Sequence, residues 1–146
     1  MTNRYTLYIL TLISSFAVYL TFGTMMTVAA GVDSVPVISF VGSVLQFGLG
    51  SWLFLHWPKV GRWAAITLGI VMLIWPLASI PWIIMEGDIL GWVIYGLPIL
   101  LTSLVIYGHV KNIRSNEKPK IWVRVLLSLF PGGLFISYLV YLITIF

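Results

Sequence analysis

Five long apolar segments fill almost the whole chain, and all eight Lys and Arg residues fall on the same side of them. A segment spans a bilayer when about 20 mostly apolar residues follow one another at 1.5 Å rise each. Stretches of that kind run over 5–30, 37–57, 63–85, 89–109 and 121–146. The expected fold is therefore all-α: a polytopic membrane helix bundle with five transmembrane helices. What lies between the stretches is too short for a second folded unit, so residues 1–146 are read as a single integral membrane domain.

Composition agrees with lipid as the solvent. Charged residues make up 8% of the chain, against about 25% in soluble domains, and the mean hydropathy is +1.06. No cysteine is present, which removes disulfide exchange, thiolate nucleophiles and Cys-ligated metal centres. Val28-Ala29-Ala30 resembles a cleavage site, but the apolar run before it exceeds the 7 to 15 residues or so of a signal-peptide core. The first segment is expected to be a retained helix.

Charge fixes the expected orientation. Arg4 precedes the first segment, Asp33 lies in the first connection, and Lys59 and Arg62 are expected in the second. Glu86 and Asp88 lie in the third connection, and Lys111, Arg114, Lys118 and Lys120 in the fourth, with Arg124 just inside the last helix. Basic loops stay on the cytoplasmic side, which predicts a cytoplasmic N-terminus, an extracytoplasmic C-terminus and a multi-pass protein of the plasma membrane. Indole rings prefer the headgroup level. Trp57, Trp63 and Trp122 mark one boundary and Trp82 and Trp92 the other, whereas Trp52 and Trp75 lie deeper.

Candidate sites are few. Gly42, Gln46 and Gly50 recur every four residues, a stripe suited to close helix packing with one amide at mid-depth; solute contact is the alternative use of the amide. Ser14, Ala17, Thr21 and Thr24 form a similar stripe on the first helix, expected to dock against the former. Prolines at 76, 81, 98 and 131 interrupt three segments, and Pro131-Gly132-Gly133 is the softest point expected. Such breaks line solute sites in some transporters, though kinked packing is the more ordinary result.

His56 and His109 are expected at the same depth, at the ends of parallel helices. A bis-histidine haem is conceivable there, but a wet, half-exposed imidazole is the plainer expectation. Glu86 and Asp88 are too few for a calcium cage of six to eight oxygens or so, so a solvated turn is expected. Affinity of the basic loop for anionic headgroups would follow from topology alone.

No Asp, Glu, Lys or Arg falls near the middle of a segment, where proton relays and ion pathways place them. No intramembrane protease motif is present either. The expectation is a non-enzymatic protein without cofactor or nucleic-acid partner. It would sit in the lipid bilayer and associate laterally with a membrane-protein partner or as a homo-oligomer, in an accessory, assembly, regulatory or immunity-type role. A small oligomeric transporter or channel for a neutral or apolar solute is the alternative.

Overall fold

The computed structural model describes residues 4–28, 34–87 and 89–145. Helix α1 spans Arg4–Val28, α2 Ser34–Leu45, α3 Ser51–His56, α4 Pro58–Glu86, α5 Ile89–Lys111 and α6 Ile121–Ile145. A π turn, Gln46–Gly50, joins α2 to α3, so the second expected segment is one helix with a widened turn. Among the described residues there is no strand. The fold is all-helical.

Three stretches are long and apolar enough to cross a membrane: Ile38–His56, Pro58–Glu86 and Ile89–Lys111. Two further apolar stretches, Tyr5–Thr21 and Ile121–Ser137, are shorter. Contacts run from α1 to α2, α2 to α4, α4 to α5 and α5 back to α1, closing a ring of four. Helix α6 packs outside that ring, against the π turn and α3.

Four expectations about local structure are corrected. Helix α4 begins at Pro58 rather than near 63, because a proline at the first helical position gives up an N–H that has no helical partner anyway. Arg62 consequently sits inside a helix and is buried, not in a connection. Helices α4, α5 and α6 run unbroken through Pro76, Pro81, Pro98 and Pro131. Finally, the Gly42, Gln46, Gly50 stripe faces α4 rather than α1. A Cβ on Gly42 would stand 3.1 Å from Val71 Cγ1, one on Gly50 3.5 Å from Leu68 Cδ1, and Gln46 Nε2 donates to Ala65 O at 3.0 Å. The side chain of Thr24, in the α1 stripe, lies outside the described residues, as do Asp33 and Asp88.

A neighbouring side chain repairs the defect at Pro131, and another bonds the backbone just before Pro76. Pro131 has no N–H to give Leu127 O, and the Tyr8 hydroxyl of α1 donates to that carbonyl instead at 2.8 Å. Beside Pro76, Ser39 of α2 accepts from the Trp75 backbone N–H at 3.3 Å and reaches Val71 O at 3.5 Å. A proline thus becomes an anchor between helices.

Glycines set two close approaches. A Cβ on Gly61 would overlap the backbone of Phe54, and one on Gly48 would meet Phe135 of α6, so α3 and α4 touch main chain to main chain and α6 seats on the π turn. The opening of that turn is supported from within, because Gln46 O accepts from both the backbone N–H and the hydroxyl of Ser51. Helix α4 ends at Gly87, whose φ of 62° lets its N–H close on Ile83 O at 3.0 Å.

Candidate functional site

The interior of the ring is more polar than its outside. Thr11, Ser14, Ser15, Ser39, Ser43, Gln46, Ser51, Arg62, Ser79, Thr102 and His109 are all buried, whereas Ile13, Ile70, Leu100 and many other large apolar side chains face outward. Apolar surface of that extent is unfavourable in water and ordinary in lipid.

The most concentrated polar group lies at the basic end of the ring. His109, wholly buried on α5, has Nε2 3.0 Å from Thr11 Oγ1 on α1. The Thr11 hydroxyl gives its one proton to Leu7 O at 2.8 Å, so towards His109 it accepts. That assigns the imidazole proton to Nε2 and leaves Nδ1 as an acceptor, buried and without a hydrogen-bond partner among the described residues. Phe54 of α3 stands edge-on to the imidazole with centroids 4.9 Å apart. Arg62 of α4 lies over the same Phe54 ring, 5.0 Å from its centroid, and its Nε reaches Ser115 O at 3.4 Å. Glu117 is within electrostatic reach of Arg62. One turn or so further in, Ser14 Oγ and Thr102 Oγ1 share a hydrogen bond of 2.9 Å.

This arrangement joins α1, α3, α4, α5 and the 112–120 segment through side chains that are buried, with Glu117 alone among them exposed. Arg62 retains an unpartnered Nη1 among the described residues. Burying a guanidinium is costly unless charge and hydrogen bonds compensate it. The Phe54 face, Ser115 O and Glu117 supply that compensation.

The expectation of a wet, half-exposed imidazole is corrected for His109, which is 0% exposed. His56 occupies a different face of α3: its ring lies 4.7 Å from that of Trp52, and Arg124 and Lys118 are within electrostatic reach. The two histidines therefore have different ring neighbours, Trp52 for His56 and Phe54 for His109. Among the described residues no three His, Asp or Glu side chains gather as metal ligands. Gln46 is buried beside the π turn with Oε1 unpartnered among the described residues. Pro131 is buried, but a Cβ on Gly132 or Gly133 would meet nothing within 4 Å.

Sequence reasoning missed Tyr8, Thr11, Phe54 and Arg62. Only Arg62 left a usable signal, since Pro58 as a helix start places it one turn inside α4.

Fold and interior together define an all-helical protein with three helices suited to crossing a membrane and a hydrogen-bonded polar cluster at its basic end. Comparison with protein-family models, with curated proteins and with solved structures returns no match.

Proposed function

We propose that this chain is a five-span protein of the plasma membrane that works by lateral association with another membrane protein and performs no catalysis. The observation that carries the reading is the contrast between its glycines. Those at 42, 48, 61, 69 and 108 meet neighbouring side chains or backbone within the bundle. Gly132 and Gly133, like Gly96 of α5, meet nothing within 4 Å, and they lie on a helix whose described contacts run mainly along the π turn and α3, with the Tyr8 bond. Bare backbone facing outward in lipid allows a second helix to approach closely. Ser128 and Ser137, one turn to either side, extend the same small-residue surface.

The test is capture from native membranes in mild detergent, comparing the parent chain with Gly133→Leu. Because the glycine face is open, the variant should fold as the parent does while losing its stoichiometric partner, whether that is another protein or a second copy. Recovery of the same partner by Gly133→Leu would refute this use of α6.

A second reading, passage of a neutral solute, is favoured by one feature: the buried Gln46 Oε1 without a donor beside a π turn, a distortion frequent at functional sites. Flux in liposomes holding the purified chain alone, abolished by Gln46→Leu, would replace association with transport.

The orientation in this proposal rests on the basic residues at one end of the bundle. With cysteines placed singly at Asn116 and Glu86, an impermeant thiol reagent outside intact cells should modify Glu86→Cys only. Labelling of Asn116→Cys alone would reverse the topology.

A further inference from the structure

Residues 112–120, which join α5 to α6, lie against Arg62 of α4. The first half of this stretch is a turn closed on itself: Asn112 N–H donates to Gly108 O at 3.2 Å, and Ser115 N–H to Asn112 O at 2.9 Å. Residues 115–120 have no regular structure, and Asn116, Glu117, Lys118 and Lys120 are exposed. Two features draw them onto the helices behind. Ser115 O accepts from Arg62 Nε at 3.4 Å, and Pro119 is buried in an otherwise exposed run.

The cover is imperfect. Arg62 is only 3% exposed, yet its Nη1 has no hydrogen-bond partner among the described residues. A buried donor without a partner carries its full desolvation cost, and a bond of 3.4 Å lies beyond the favoured range for N–H to O. The ring does not depend on the segment that covers it. Ser14 bonds Thr102, Thr11 bonds His109, and Gly61 packs on the Phe54 backbone without any part played by residues 112–120. Arg62 is likewise seated from below, over the Phe54 ring.

We propose that residues 112–120 are a strap that opens over Arg62 while the four-helix ring stays folded, with Arg62 as its latch. Lifting Ser115 breaks one long hydrogen bond and lets water satisfy both Nε and the stranded Nη1, so opening loses little. Sub-global opening belongs to stretches of this kind, with few buried apolar groups and polar atoms that water can serve. Pro119 limits it, because its ring is buried and its fixed φ reduces the number of open conformations. The strap does not rest on the association proposed for α6, and its test needs no partner.

The experiment uses the full chain purified in mild detergent and treated with phenylglyoxal, which modifies accessible arginine; peptide mass spectrometry follows Arg62 and the exposed Arg114. Under native conditions Arg62 should react measurably, more slowly than Arg114, and at a rate that urea below the unfolding transition leaves unchanged. Pro119→Gly should speed the reaction of Arg62 roughly fivefold while the reaction of Arg114 and the unfolding temperature stay as in the parent. Arg62→Lys keeps the charge and loses the Nε donor, so an arginine-specific protease should cut after Arg114 several-fold faster than in the parent. Modification of Arg62 only as the whole chain unfolds, an equal Arg62 rate in Pro119→Gly, or unchanged cleavage in Arg62→Lys would each overturn the latched strap.

Discussion

Replacing Gly61 by alanine is expected to destabilise the bundle more than any other single methyl group added to it. The new Cβ would fall on the backbone of Phe54, and a main chain cannot rotate aside as a side chain can. Relief requires α3 and α4 to part, which also draws Phe54 from between Arg62 and His109. Overpacking costs about 1 to 3 kcal/mol, occasionally more, and a clash with backbone belongs at the upper end. Gly50→Ala is the control, since its Cβ would meet only ordinary contacts from 3.5 Å outward and alanine gains helix propensity of up to about 1 kcal/mol over glycine. Thermal unfolding of both variants in mild detergent should show a large loss for Gly61→Ala and little or none for Gly50→Ala. Equal stabilities would mean that the hairpin at Trp57 is looser than described.

Thr11→Val should produce the second large effect. The substitution keeps the shape of the side chain and removes the hydroxyl that receives the His109 Nε2 proton at 3.0 Å. An imidazole with no exposed surface is then left with both nitrogens unsatisfied. Stranding a buried donor costs about 1 to 3 kcal/mol, whereas replacing both partners with apolar groups of similar shape can be nearly neutral. The double variant Thr11→Val, His109→Phe is therefore expected to be less damaged than the two single losses added together, read as a thermal-unfolding cycle. Strict additivity would show that Thr11 and His109 do not act as a pair.

Much of the polar interior was hidden in the sequence for a physical reason. Ser and Thr are tolerated in apolar helices because each can bond its own backbone one turn back, as Ser15 does to Thr11 O at 2.8 Å and Ser79 to Trp75 O at 2.9 Å. Nothing along the chain separates these hydroxyls from Ser14, which bonds Thr102, or from Thr11, which bonds its own Leu7 O and also accepts from His109 of another helix. The pairing of residues 11 and 109 depends on α1 closing the ring against α5. The prolines behaved likewise. Their lost hydrogen bonds were legible, but that Tyr8 would satisfy Leu127 O and Ser39 would sit beside Pro76 depended on which helices became neighbours.

By itself the sequence determined that the chain is helical, that long parts of it are apolar enough to cross a membrane, and that its basic residues lie outside the middles of the apolar segments. Those properties follow from local composition and from the period of a single helix, and no neighbour can change them. Tertiary structure alone decided that the Gly42 stripe meets α4, that Gln46–Gly50 widens into a π turn where Phe135 seats on Gly48, and that Arg62 is enclosed. Each of these is a contact between surfaces far apart in the chain, and an apolar helix offers several nearly equivalent faces. Glycine backbone that permits close approach, together with buried polar groups that tolerate only one partner, selects among them.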